Sequence, residues 1–190
     1  MLRLAVLLLS VAAGAAEPAK PQELPLTSTS LAGKASHLVA TVPAGFSAVV
    51  KPMPKFGSSL ETLMVDSADQ RVRLLITLLP PNDFLGRDAA GLEKTLRANC
   101  APFLKESVEG KVTPFPLQLK HGIGVATFLT DKAEVGKPAT QGPEHYKLMT
   151  NAMIRIGDAT LATVTIFHDT KEQADYLAAI KVVASLRPDR

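Results

Sequence analysis

Two strand-like segments near the C-terminal end of the chain are separated only by Gly157-Asp158. A two-residue connection that begins with glycine is typical of a type II′ hairpin turn. Strands joined in this way pair antiparallel, because parallel neighbours need a crossover of a dozen or more residues. The connection therefore predicts an antiparallel sheet that contains residues 146–156 and 160–167.

Further strands are predicted along the chain from apolar and β-branched runs bounded by turn residues. In the segment from Arg71 to Leu79, one face is apolar and the other is half apolar, so both faces of the sheet are expected to be partly covered. The turn between the strands at 111–119 and 125–130 is assigned to Lys120–Gly124. The predicted strands are residues 37–42, 46–50, 60–65, 71–79, 111–119, 125–130, 146–156 and 160–167.

A first helix is predicted from about Asp88 to Ala101, with Asp88 as its N-cap. Its apolar stripe comprises Leu92, Leu96, Cys100 and Phe103.

A second helix is predicted to follow a capping box formed by Asp169 and Glu172 and to end at Pro188. Its buried stripe is predicted to comprise Tyr176, Leu177, Ile180, Val183 and Ala184. The sequence therefore predicts a single α+β domain over residues 36–188, with two amphipathic helices packed on a mostly antiparallel sheet as an α/β/α sandwich.

The N-terminus predicts export. Arg3 precedes an apolar run from Leu4 to Ala13, and small residues follow, which is the pattern of a secretory signal peptide with cleavage after Ala15 or Ala16. The run is too short to span a membrane. Residues 1–16 are thus assigned to a signal peptide and residues 17–35, rich in Pro, Ser and Thr, to a flexible linker. The mature chain is expected to be soluble and periplasmic, with no membrane span.

Composition narrows the classes of partner and site. The net charge is +3, from 21 Lys and Arg against 18 Asp and Glu, which is too small a surplus for a dedicated nucleic-acid binder. The single cysteine, Cys100, excludes an internal disulfide and a cysteine-built zinc site, and it is predicted to lie buried in the first helix. Pairing with another chain is the alternative for Cys100.

No catalytic motif is recognised. Ser47 lacks the second glycine of a nucleophile elbow, and Gly122-Ile123-Gly124 lies between strands rather than before a helix. The four histidines have no metal-ligand spacing. The sequence therefore predicts no catalytic residue, no metal site and no cofactor.

Two loops hold the candidate binding residues. Basic side chains alternate with apolar ones in residues 51–57, and further basic groups lie in residues 131–145. Loops brought together at one edge would form an apolar and basic surface suited to a protein partner or an anionic ligand. The candidates are Lys51, Met53, Lys55, Phe56, Lys132, Lys137 and His145.

The order of elements resembles the PsbP-like superfamily. The resemblance is carried by residues 38–46, the hairpin ending at Pro80, the helix around Leu92 to Phe103, the hairpin across Gly157-Asp158 and the closing helix to Leu186. It covers residues from about 36 to 188. It implies helices on both sides of the sheet and a role in binding proteins or assisting assemblies, with no catalytic residues to carry over.

Three functions are open at this point. The first is a non-enzymatic accessory module that binds another protein, and the second is a periplasmic carrier of a small ligand or metal. The third is a hydrolase whose residues converge only in the folded state. A flat apolar and basic patch would favour the first, an apolar cavity the second, and a pocket with convergent titratable groups the third.

Overall fold

The computed structural model describes residues 20–30, 33–55, 58–80, 88–138, 145–157 and 160–189. The strands within them are β1 (Gln22–Thr29), β2 (Ala35–Val42), β3 (Phe46–Lys55), β4 (Ser58–Ser67), β5 (Arg73–Leu78), β6 (Phe115–Gln118), β7 (Gly122–Thr130), β8 (Leu148–Ile156), β9 (Thr160–His168) and β10 (Arg187–Pro188). The helices are α1 (Ala89–Cys100), α2 (Ala174–Ser185) and the 3₁₀ segments Ala101–Glu106 and Lys132–Glu134. The predicted signal peptide lies outside the described residues.

All ten described strands belong to one antiparallel sheet. Its order is β10-β2-β1-β4-β5-β9-β8-β7-β6, and β3 pairs with β4 beside this path. The hairpin predicted across Gly157 joins β8 and β9 in the register Ile156↔Thr160. Gly157 has a φ of 58°, which glycine adopts without the steric cost that a side chain would add.

The predicted α/β/α sandwich is wrong, although the antiparallel sheet and the two helices are present. Strands form 50% of the described residues and helices 22%, and the sheet curls into a half-barrel. The curl brings β2 into contact with β9, although three strands separate them in the sheet order. Two helices of 12 residues each are too few to cover a ten-stranded sheet, so the sheet buries much of its apolar surface against itself.

The curl gives the sheet an inner and an outer face. On the inner face, the alternate residues Leu74, Ile76 and Leu78 of β5 belong to one large core cluster that also includes Val182 and Val183 of α2. On the outer face, α1 packs on residues of β7, β8 and β9 in a second, smaller cluster. The buried members of this smaller cluster are Leu92, Leu96, Cys100, Val112, Val125, Leu129, Met153 and Leu161.

Residues 22–29, which the sequence analysis assigned to a linker, form β1. This strand pairs with β2 over its whole length, from Gln22↔Val42 to Thr29↔Ala35, and buries Leu26 completely. Pro25 lacks a backbone N–H and is compatible with a strand whose other edge is paired only at Thr29. The ordered domain therefore begins before Ser36.

Helix α1 agrees with its prediction. The Asp88 carboxylate accepts a hydrogen bond of 2.8 Å from the Gly91 N–H, as an N-cap does. Cys100 is completely buried, as predicted, and burial raises the pKa of its thiol to about 11. Phe103 is the exception: it falls in the 3₁₀ segment and remains 47% exposed.

Helix α2 begins later than predicted and buries a different stripe. Its N-cap is Gln173, which makes no side-chain capping bond, so the predicted capping box of Asp169 and Glu172 is wrong. Leu177 lies 48% exposed, while the buried residues are Tyr176, Ala179, Val182 and Val183. The face of α2 that packs on the inner face of the sheet is therefore rotated about the helix axis from the face predicted by the sequence pattern.

The turn predicted at Lys120–Gly124 is shorter than expected, because β7 already begins at Gly122. A Cβ on Gly122 would lie 1.9 Å from the carbonyl oxygen of Arg155 in β8. Gly122 therefore allows two backbones to approach closely, rather than forming a turn.

Within the described residues, neither helix has both the length and the apolar character that crossing a membrane requires.

Candidate functional site

A cavity of about 320 Å³ lies on the outer face of the sheet. The 3₁₀ segment Ala101–Glu106 contributes one wall, the strands β5, β9, β8 and β7 contribute the others, and Tyr146 and Lys147 join from the segment before β8. Most of its lining is apolar. The lining residues are Leu75, Pro102, Phe103, Glu106, Ser107, Leu129, Thr130, Asp131, Tyr146, Lys147, Leu148, Met149, Asn151, Thr165 and Phe167. We call this cavity the outer pocket.

The outer pocket exists because α1 covers only part of the outer face. The helix contacts β7 and β8. It ends at Cys100, because Pro102, the second residue of the following 3₁₀ segment, cannot continue an α-helix. The chain then crosses towards the Asp131 end of β7, where Ser107 and Asp131 form an isolated bridge. Leu75 of β5 is therefore not covered by a helix, and it lines the pocket together with Phe103.

One row of residues across four strands forms the floor of the outer pocket. Leu75 in β5 pairs with Thr165 in β9, Thr165 pairs with Asn151 in β8, and Asn151 pairs with Thr127 in β7. Directly opposed residues share a face of the sheet. Three of these residues, Leu75, Thr165 and Asn151, line the pocket, so its otherwise apolar floor contains two adjacent neutral polar side chains.

The amide of Asn151 is the polar group best placed for binding. Asn151 is only 7% exposed, no hydrogen bond joins its side chain to the described part of the chain, and its amide atoms are open to the pocket rather than fully buried. Its neighbour Thr127 differs, since the Thr127 hydroxyl donates to the carbonyl of Thr113 over 3.2 Å. The Asn151 amide can therefore offer both a donor and an acceptor to a molecule in the pocket.

Two stacked aromatic rings line one side of the outer pocket. The rings of Tyr146 and Phe167 stack with their centroids 5.6 Å apart. The Tyr146 hydroxyl donates to the carbonyl of Gln70 over 3.0 Å, which holds the ring in place, and burial raises the pKa of Tyr146. Beside this ring, Arg73 forms a two-point ion pair with Asp66 through distances of 2.6 and 3.1 Å.

The charged residues of the lining are exposed or half-buried. Glu106 and Asp131 are exposed and Lys147 is half-buried, so they lie at the solvent side of the pocket. The floor residues Asn151 and Thr165 are neutral. The outer pocket can therefore bind an apolar molecule, but it does not bring two titratable groups together on its floor as acid–base catalysis would need.

The structure brings two of the predicted binding residues, Lys137 and His145, together beside one acid. Glu134 is nearly buried, and its carboxylate lies 3.0 Å from the Lys137 ammonium and 3.9 Å from Nδ1 of His145. The Lys132 ammonium instead donates to the carbonyl of Lys105 over 2.8 Å. These lysines have internal partners, which reduces the free positive charge predicted for this loop.

The other predicted binding residues lie elsewhere in the sheet. Lys51 and Met53 belong to β3 rather than to a loop, and the register pairs Lys51 with Thr62 of β4. Five strand-to-strand steps separate β3 from β7, or roughly 24 Å in a flat sheet. Among the described residues, Lys51 and Met53 thus lie on a different strand, five steps along the sheet from the strand that precedes Lys132 and Lys137. The side chains of Lys55 and Phe56 lie outside the described residues.

Sequence reasoning missed the outer pocket because its lining comes from distant segments. The one available signal was a polar residue, Asn151, within the apolar strand predicted over residues 146–156. Among the described residues there is no group of three or more His, Cys, Asp or Glu side chains that could hold a metal ion.

The chain was compared with protein-family models, curated proteins and solved structures, and none of the three comparisons found a match. The resemblance to the PsbP-like superfamily thus remains a prediction.

Proposed function

We propose that the protein is an exported, non-catalytic binding module, and that the outer pocket is its site for a small, largely apolar ligand. The pocket carries this proposal: about 320 Å³ is at the lower end of the size range of small-molecule sites, and its walls are apolar with few polar groups. This favours the ligand-carrier hypothesis of the sequence analysis over the hydrolase hypothesis.

Export rests on the N-terminal sequence. We expect N-terminal sequencing of the protein from a periplasmic fraction to begin at Ala16 or Glu17, because the small residues Ala13 and Gly14 stand at the positions that signal peptidase reads. Retention of Met1 in the mature protein would contradict export by this route.

Filling the outer pocket should abolish binding of an apolar probe. Leu75 lines the pocket from β5 and is partly accessible, so Leu75→Trp would place an indole in the cavity. We expect this variant to bind the uncharged fluorophore N-phenylnaphthylamine at least tenfold more weakly than the wild type, as measured by fluorescence titration.

Val49→Trp is the matched control. Val49 lies in the same row of the outer face, two strands from Leu75, and is 46% exposed without lining the pocket. This variant should bind the fluorophore as the wild type does. Equal binding by the wild type and both variants, or no saturable binding by the wild type, would refute the outer pocket as the site.

A protein partner is the second candidate. Val108 and Val135 are 54% and 59% exposed. Val108 directly follows Ser107, which forms a bridge with Asp131, and Val135 lies four residues after Asp131. Lys132 is in the same segment. Exposed apolar residues beside a basic group fit the accessory-module hypothesis. Native mass spectrometry of the protein purified from its own periplasm separates the two candidates, since a bound small mass supports the ligand site and a bound chain supports the partner.

A further inference from the structure

We propose that the ligand of the outer pocket carries an uncharged polar head group, with a hydrogen-bond acceptor beside a donor as in a primary amide, which Asn151 recognises from the pocket floor. This inference rests on the proposed function, because it names the class of molecule that the same pocket would bind.

The first step concerns what the Asn151 side chain lacks. Its amide has a carbonyl oxygen that accepts and an NH₂ group that donates, and neither is bonded to the part of the chain that the structure describes. Both ends of the amide face the pocket, so a ligand that both donates and accepts would pair with the two ends at once. A primary amide is such a partner.

The second step concerns charge. Asn151 and its neighbour Thr165 are neutral, and the residues that flank Asn151 on the same face of β8 are Met149 and Met153. A charged head group on this floor would lose its hydration without an opposite charge beside it. The charged lining residues Glu106 and Lys147 are at the solvent side, so the head group that fits the floor is uncharged.

The third step concerns the remainder of the ligand. Around Asn151 and Thr165, the pocket is lined by Phe103, Met149 and Phe167, and Phe103 is half exposed. Aromatic and thioether side chains form favourable contacts with apolar and aromatic groups. The ligand class is therefore an apolar or aromatic tail that ends in one amide-like head.

The test uses three probes that have the same arrangement of non-hydrogen atoms. They are the primary amide of phenylbutyric acid, the methyl ketone in which a methyl group replaces the NH₂, and the hydrocarbon in which an isopropyl group replaces the whole amide. Affinities for wild type and Asn151→Leu are measured by competition with N-phenylnaphthylamine. Leucine has nearly the shape of asparagine but forms no hydrogen bonds.

We expect Asn151→Leu to weaken binding of the amide about tenfold, to weaken the ketone by a smaller factor, and to leave the hydrocarbon unchanged or bound more tightly. Asn99→Leu is the matched control, because Asn99 is exposed on α1, does not line the pocket, and donates to the Met153 sulfur instead. It should leave all three affinities unchanged.

The outcomes separate this inference from the proposed function. If Asn151→Leu changes the affinity for all three probes by the same factor, recognition by Asn151 is refuted while the pocket stands as an apolar site. If no probe displaces the fluorophore from the wild type, the inference fails. If Leu75→Trp also fails to reduce fluorophore binding, the proposed function fails with it. The fluorophore itself has no amide, so its binding to Asn151→Leu shows whether that variant is folded.

Discussion

Val183→Asp is expected to lower the free energy of unfolding by about 4 kcal/mol, because it places an unpaired carboxylate in the apolar core. Val183 is completely buried in α2 and belongs to the inner-face cluster that holds the curled sheet together. Urea unfolding of the purified protein measures the effect. Should Val183→Asp fail to fold, Val183→Ala is expected to cost about 2 kcal/mol through lost contacts and a small cavity.

Leu177→Asp is the matched control on the same helix. The sequence pattern placed Leu177 in the buried stripe, whereas the structure leaves it 48% exposed. We therefore expect this substitution to change the free energy of unfolding by about 0.5 kcal/mol or less. A larger loss from Leu177→Asp than from Val183→Asp would mean that α2 packs with the face that the sequence pattern predicted.

The protein is expected to become less stable as the pH falls from about 6.5 to about 4, because of His168. This residue is completely buried at the end of β9, and burial lowers its pKa to about 4 from an ordinary value of 6.5. Over this range the unfolded chain takes up a proton and the folded chain does not. At about 1.4 kcal/mol per pH unit, the loss of stability amounts to about 3 kcal/mol.

The surroundings of His168 explain why it stays neutral. Its Nδ1 lies 3.0 Å from the carbonyl of Thr170, which can only accept, so Nδ1 carries the proton. Its Nε2 therefore accepts from the hydroxyl of Thr150 over 2.9 Å, and the ring of Tyr176 stacks on the imidazole with centroids 4.0 Å apart. Burial is the largest cause of the lowered pKa, and Lys171 also lowers it, whereas the hydrogen bond to Thr170 and the charges of Asp169 and Glu172 raise it.

Urea unfolding of wild type and His168→Gln at several pH values tests this expectation. The variant should have a flatter dependence of unfolding free energy on pH between about 6.5 and about 4, even if it is less stable overall. Asp69 and Glu109, whose pKa values are lowered from 3.8 and 4.5, lose their stabilising contribution at more acidic pH and do so in both proteins. An equally steep dependence in both proteins would assign the effect to other groups.

Elements fixed by local interactions were predictable. The N-cap of α1 needs only Asp88 and Gly91, three residues apart, and the β8–β9 hairpin needs only a glycine in its turn and apolar strands on either side. The burial of Cys100 followed from its spacing with Leu92 and Leu96 on one helix face. In each case the interacting groups are close in sequence, so the pattern contains the information.

Elements that depend on distant partners were missed. In β1 no strong alternation marks a strand, and its pairing with β2 and the burial of Leu26 provide the stabilisation that its own residues do not indicate. The choice between Leu177 and Val182 as the buried face of α2 depends on how the inner face of the sheet curves towards the helix. When apolar residues occur on most faces of a helix, as in α2, helix periodicity alone does not identify which face is buried.

In the candidate site, too, the residue types were readable from the sequence, but their positions relative to one another were not. The sequence identified the basic side chains Lys51, Lys132 and Lys137, but it could not tell that β3 and β7 lie five strand-to-strand steps apart or that Lys137 pairs with Glu134. It could not bring Leu75, Phe103, Asn151 and Thr165 together, because their proximity depends on strand order and on where α1 ends.

By itself, then, the sequence determined that the strands on either side of Gly157 pair antiparallel, that α1 follows its N-cap Asp88, and that an N-terminal segment has the pattern of an export signal. Only the tertiary structure decided that the sheet curls on itself instead of lying between two helix layers, and that an apolar pocket containing Asn151 and Thr165 opens beside α1. The physical reason is range: turns and caps are formed by residues a few positions apart, while curvature, coverage and cavities arise from which surfaces remain unburied after all strands have paired.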